Sequence, residues 1–194
     1  MKVLAINSSP RRDGNTSIAL GIVMEELQKE GIETELIHLK ANHMRGCIGC
    51  WKCKETRECV FTDDGFPEIY HRMQEADGIL LGAPVYQSGM PAALKALLER
   101  VSSAAGRDKV MFAHKLGAAV AVVRRGGPVA TLDSINHFFL NKNMFVAGSN
   151  YWSFMMGDEK GEVLKDQEGI VIMQTLGKNM AWFLKHVLTE EHGY

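Results

Sequence analysis

Short apolar runs alternate with amphipathic helical spacings from one end of this chain to the other, and that alternation admits few architectures. Residues 2–7 (Lys-Val-Leu-Ala-Ile-Asn) read as a buried strand. From Thr16 to Glu30 the apolar residues Ile18, Leu20, Ile22, Val23 and Leu27 recur on one helical face, and Gly31 stands where a helix stop is expected. Glu33 to Leu39 make a second strand, Gly78 to Ala83 a third, Leu116 to Val123 a fourth and Met144 to Ala147 a short fifth. Helices are predicted between them. One is capped by Asp64 and carries Phe66, Ile69, Tyr70 and Met73; another is opened by Pro91, with Leu94, Leu97, Leu98 and Val101 on one face. A further helix covers 130–140, and a last one, from about Glu168 to Val187, turns Met173, Leu176, Met180, Phe183, Leu184 and Val187 inward.

Five strands separated by helices imply an α/β fold: a doubly wound parallel sheet with right-handed crossovers and helices on both faces. For five strands the flavodoxin-like order 2-1-3-4-5 leads. Strands 1 and 3 are then neighbours from which the chain leaves in opposite directions, and ligands of such sheets bind in the crevice at the carboxyl ends there. A chain of 194 residues suits one domain, 1–194, with two excursions: the cysteine-bearing loop 40–63 and an aromatic, then charged, insertion at about 148–166. The insertion reads as a subunit contact, a substrate mouth or a plain surface excursion. A charged fraction of 23% and a net charge of -1 leave no basic excess for nucleic acid. No apolar run reaches membrane-spanning length, and the N-terminal one stops at Asn7, too short for a signal peptide; a cytoplasmic protein is expected.

All four cysteines fall within thirteen residues, as Cys47-x2-Cys50-x2-Cys53-x5-Cys59. One loop with that spacing can point several thiolates at a compact inorganic core. A [4Fe–4S] cubane needs this, and bacterial ferredoxin sites begin with the same C-x2-C-x2-C run. Three other readings stand beside it. Structural zinc usually pairs two C-x2-C knuckles across a longer stretch, so the third cysteine comes early for it. Disulfide frameworks suit short secreted chains. Four reduced thiols without metal are the plain alternative. Trp51 either shields a cluster from water or anchors the loop, and Asp63 and Asp64 read as caps of the next helix. The seven histidines are scattered, the eleven methionines suit core packing, and no acid–base or nucleophile constellation stands out.

Three loops fall at the carboxyl ends of the central strands. The first, residues 7–17, enters a helix N-terminus, where free N–H groups and the helix dipole favour an anion. Ser8, Ser9, Arg11, Asn15, Thr16 and Ser17 add donors that suit a phosphate monoester. The loop is neither a Walker A sequence nor G-x-G-x-x-G. The second, Pro84-Val85-Tyr86-Gln87-Ser88-Gly89 with Pro91 beyond it, offers a fixed backbone and an aromatic face to a planar ring. The third brings Arg124, Gly126 and Gly127 to the same edge. Each loop alone has an ordinary reading as a capping turn. Together, a phosphate end and a flat-ring end describe FMN.

The run Ser8-Ser9-Pro10-Arg11-x-x-Gly14-Asn15-Thr16 resembles the phosphate loop of the NADPH-dependent FMN reductase superfamily, and Ala83-Pro84-Val85-Tyr86 before Ala93-Leu94-Lys95-Ala96 resembles its isoalloxazine loop. The four-cysteine motif, with Cys59-Val60-x-x-Asp63-Asp64, is similar to the iron–sulfur flavoproteins of anaerobic archaea and bacteria. The resemblance implies FMN at the first two loops, a [4Fe–4S] cluster on Cys47, Cys50, Cys53 and Cys59, and a homo-oligomer, dimer or tetramer, in which flavin and cluster face each other across a subunit interface. The expected function is an FMN-dependent oxidoreductase passing electrons between cluster and flavin, with ferredoxin or NAD(P)H as donor. The alternatives are an NAD(P)H-dependent reductase of FMN, quinone or another small acceptor without a cluster, and a non-enzymatic flavodoxin-like electron shuttle.

Overall fold

The apolar runs become strands because both faces of the sheet are covered. The computed structural model describes residues 1–39, 43–106 and 110–188; residues 40–42 of the predicted cysteine loop lie outside them. The elements run β1 (Lys2–Asn7), α1 (Asn15–Lys29), β2 (Glu33–His38), α2 (Cys53–Thr56), α3 (Phe66–Glu75), β3 (Gly78–Pro84), α4 (Ala92–Ala104), β4 (Leu116–Val123), α5 (Pro128–Asn141), β5 (Phe145–Val146), β6 (Phe154–Met156) and α6 (Gln167–Val187). A 3-10 turn at Glu162–Lys165 precedes α6. The strands are parallel in the order β2-β1-β3-β4-β5, as the sequence predicts.

Alternation along β1 sorts the core into two layers. Leu4 and Ile6 pack with Phe66, Tyr70, Leu94, Leu97, Ile135 and Phe139 under α3, α4 and α5. Val3 and Ala5 pack with Leu20, Val23, Met173, Leu176 and Met180 under α1 and α6. On that second face Gly177 brings α6 against α1: a Cβ there would stand 2.7 Å from the Val23 carbonyl oxygen.

Four local differences from the sequence reading have physical causes. The fifth strand shrinks to Phe145–Val146, and a sixth, β6, arises inside the predicted insertion. Both pair with β4: β5 with Leu116 and Gly117, β6 with Ala121 to Val123. The chain thus leaves the sheet edge after Val146 and rejoins it at Phe154, where Met155 is fully buried. The helix α1 starts at Asn15 with Gly14 as its N-cap, one residue before the predicted start, and α3 is capped by Gly65 rather than Asp64. Asp64 still accepts the Phe66 N–H at 3.3 Å, but its other oxygen is engaged by a buried arginine. Pro91 sits at the N-cap of α4, one position before the first turn. A one-turn helix, α2, closes the cysteine motif and had no periodicity to announce it.

Candidate functional site

The first candidate site lies at the carboxyl ends of β1, β3 and β4. There the residues 7–17 fold on themselves. Ser8 donates twice to the Gly82 carbonyl, from its N–H at 2.9 Å and its hydroxyl at 2.8 Å. Asn7 Oδ1 accepts the Ser9 N–H, and Ser9 Oγ accepts the Arg11 N–H. Polar side chains thereby set the loop's shape, and α1 begins with the N–H groups of its first turn directed out of the helix.

Strand β3 runs on into a tight turn. Val85 donates to Val122, and Tyr86 and Gly89 exchange both backbone bonds at 2.9 and 3.0 Å. Gln87 and Ser88 at its tip both have positive φ, at 50° and 59°. Such a turn favours Gly or Asn, so two ordinary residues held there mark a constrained backbone. Gly127, at φ 88°, clamps it: a Cβ on Gly127 would lie 2.7 Å from Ser88 Cα.

These loops enclose a crevice of about 420 Å³ lined by Ser9, Arg11, Asn15, Thr16, Pro84, Val85, Tyr86 and Arg124 from the sequence prediction. Ser8 and Ser17 do not line it, nor do Gln87, Ser88, Gly89, Gly126 and Gly127. Ser8 and Gly127 instead brace the walls. The crevice also takes in Arg12, Asp13, Gly14, Val122, Gly157, Asp158 and Lys160, which the sequence reading did not assign. The last three come from the insertion. Its turn is held over residues 7–17 by Asn15, whose amide donates to the Glu159 carbonyl at 2.9 Å and accepts the Gly161 N–H at 2.7 Å. Asn15 therefore acts through this turn rather than as a free donor. Only the bracketing Gly157 and Gly161 hinted at it in the sequence. Four cationic side chains, Arg11, Arg12, Arg124 and Lys160, stand against two carboxylates, so the crevice favours an anion.

The second site is the cysteine loop. All four thiols line one largely apolar cavity of about 560 Å³ over α4 and α5, with Trp51, Phe61, Leu98 and Phe138 in its walls. Cys53 donates to the Ser103 carbonyl at 3.3 Å, and Cys47 Sγ lies 3.4 Å from the Ser103 hydroxyl. Burial, and then the three neighbouring thiols, push the Cys53 thiol up. Among the described residues no three His, Cys, Asp or Glu converge on a single metal ion. A cubane does not ask for that convergence, because each thiolate takes its own iron. Four thiols around one apolar cavity are the donor set such a cluster uses.

The loop is tied down by Arg100 of α4, which is 1% exposed. Its guanidinium pairs with the buried Asp64, donates to the Phe61 carbonyl at 2.8 Å and to Cys59 Sγ at 3.3 Å, and lies 4.0 Å over the Phe66 ring. Asp63, by contrast, is exposed and pairs with Arg45. The two sites are neighbours through residues 84–91, since Tyr86 lines the crevice and Met90 the cysteine cavity.

Residues 1–159 match the family model described as NADPH-dependent FMN reductase. The chain is 40% identical over 192 residues to an iron–sulfur flavoprotein of Methanocaldococcus jannaschii, covering 95% of this chain and 98% of that one. It is 36% identical to an iron–sulfur flavoprotein of Methanosarcina thermophila, covering 77% of this chain and 78% of that one. A flavone reductase (TM-score 0.75, 16% identity, covering 100% of this chain and 66% of that one) and an archaeal flavodoxin (TM-score 0.64, 14% identity, 96% and 100%) share the fold.

Proposed function

From the premise that this chain belongs to the NADPH-dependent FMN reductase family, and is thus an FMN-dependent oxidoreductase, we propose that it passes electrons between a [4Fe–4S] cluster and FMN. The observation that carries this is the meeting of a cationic phosphate loop and a constrained ring turn in one crevice, beside a cavity lined by all four thiols. FMN exchanges electrons in pairs or singly, and a cubane exchanges one at a time.

In this reading Ser9, Arg11 and Thr16, with the first-turn N–H groups of α1, hold the phosphate. Asn15 fixes the 157–161 turn that brings Lys160 to the crevice. Pro84, Val85 and Tyr86 present backbone and an aromatic face to the ring, while Gly127 keeps their turn in place. Arg124 adds positive charge at the rim. Cys47, Cys50, Cys53 and Cys59 supply the thiolates. The whole chain works as one flavodoxin-like unit in the cytoplasm, assembled as a homo-oligomer, and takes electrons from ferredoxin or NAD(P)H. No helix among the described residues is long and apolar enough to cross a membrane.

Anaerobically purified protein tests this. One FMN and about four iron and four sulfide per chain are expected, with serine at Cys50 removing the iron and leaving FMN bound. Protein with FMN that takes up no iron would instead support an NAD(P)H-dependent reductase. A 26% identical FMN reductase (NADPH) of Escherichia coli, covering 62% of this chain and 59% of that one, favours that second reading.

A further inference from the structure

Arg100 is the one described residue that reaches a motif sulfur with a charged donor from within the core. A guanidinium this deeply buried needs compensation on every side. Asp64 neutralises its charge, and the Phe61 and Arg45 carbonyls take N–H groups at 2.8 and 3.4 Å. The ring of Phe66 closes one face. Its Nε–H is left for Cys59 Sγ at 3.3 Å. The guanidinium is planar and held by partners on both edges, so its Nε–H direction is fixed before any metal arrives. Helix α4 fixes it further, since Leu97 and Val101 beside it are fully buried.

We propose that Arg100 is a positioning residue for the cluster: it orients the Cys59 sulfur and, by donating Nε–H to it, raises the cluster's reduction potential. This rests on the cluster reading of the cysteine loop. Hydrogen bonds to ligand sulfur stabilise the more negative, reduced state and are one of the levers on such potentials. Because Asp64 cancels the long-range charge of Arg100, the directional N–H···S contact carries the effect, which makes it sensitive to geometry rather than to salt.

The test is the midpoint potential of the cluster, followed by electron paramagnetic resonance during anaerobic reductive titration, with FMN and iron content measured on the same samples. Arg100→Lys keeps the charge opposite Asp64, but an ammonium has no fixed Nε–H fork. The double variant Arg100→Gln/Asp64→Asn removes both charges together and keeps a folded chain within reach if the lysine variant unfolds. Both are expected to retain FMN and iron and to reduce at a more negative potential, by about a tenfold change in the one-electron equilibrium, or about 59 mV. Iron-loaded variants with the wild-type potential would overturn the proposal alone. So would folded, FMN-bound variants that both lose the cluster, because Arg100 is then only a tether. Wild-type protein that takes up no iron overturns the cluster reading itself, and the proposal with it.

Discussion

The crevice and the cysteine cavity lie side by side, yet they are built by opposite means. The crevice is made where strands end: Ser8 is pinned to Gly82, Val85 to Val122, and the Tyr86–Gly89 turn is closed by its own backbone. The walls on β1, β3 and β4 inherit their positions from the sheet, and Asn15 ties the 157–161 turn to them. The cysteine loop has no strand under it. It is tied down by one buried ion pair, Arg100 with Asp64, by the exposed Arg45–Asp63 pair and by a few contacts to the end of α4. A site set by topology has many small supports, whereas a site without a strand beneath it concentrates its support at one buried pair.

The sharpest way to break the comparison is Asp64→Ala. It leaves the Arg100 guanidinium buried without its carboxylate, a change that costs about 3–5 kcal/mol when a buried pair is broken. Thermal unfolding should register that loss, while FMN fluorescence quenching shows affinity within a few fold of wild type, provided the chain folds. FMN lost in parallel would mean the two sites are one cooperative unit. The same carboxylate should give an acid signature. Burial acts to raise the Asp64 pKa, but the hydrogen bond from Arg100 and the N–H groups of Arg45 and Phe66 bring it below its ordinary 3.8. A carboxylate held low stabilises the fold above its unfolded value and loses that contribution as pH falls through the folded one. The gap in melting temperature between wild type and Asp64→Asn is therefore expected to be constant above about pH 4 and to close below it.

Effects at the crevice should be smaller and confined to it. Gly127→Ala places a Cβ against Ser88 and forces alanine into positive φ; overpacking of this kind costs about 1–3 kcal/mol. FMN affinity should fall while the reactivity of the four thiols with a thiol reagent stays unchanged. Asn15→Ala removes both bonds to the 157–161 turn, worth about 1–2 kcal/mol together, or about tenfold in FMN affinity. Unchanged affinity would show that the turn is not part of the binding wall. Asp158→Asn should do least. Its ion pair with Arg124, at 3.0 Å, is exposed on both sides, and such pairs contribute about 0–1 kcal/mol, so denaturant melts should nearly superimpose.

The same contrast explains what the sequence disclosed. Strands β1, β3 and β4 are continuous apolar runs, so their ends, and the loops that hang from them, were legible. Arg11, Thr16 and Tyr86 stand at one crevice because strand order put them there. The insertion was illegible because β6 is only three residues long, and Met155 reads as strand only once β4 is seen beside it. Arg100 was illegible for a different reason. On a helix between Leu97 and Val101 it is indistinguishable from a solvated arginine until Asp64, thirty-six positions away, is found against it. The cysteine spacing marked one loop as a candidate cluster site, but not what anchors it.

The Asn15 clamp has a consequence for the order in which the molecule comes into being. The loop at residues 7–17 leaves a ribosome well before its covering turn, which is 146 positions further along the chain. At synthesis rates of about 5–20 residues per second, roughly 7–30 s separate the two. During that interval β1 and α1 have no lid, and the sheet edge beside β4 is open. A nascent chain of this design meets its cofactor before it can enclose it, so the closing of the crevice is an event of late folding.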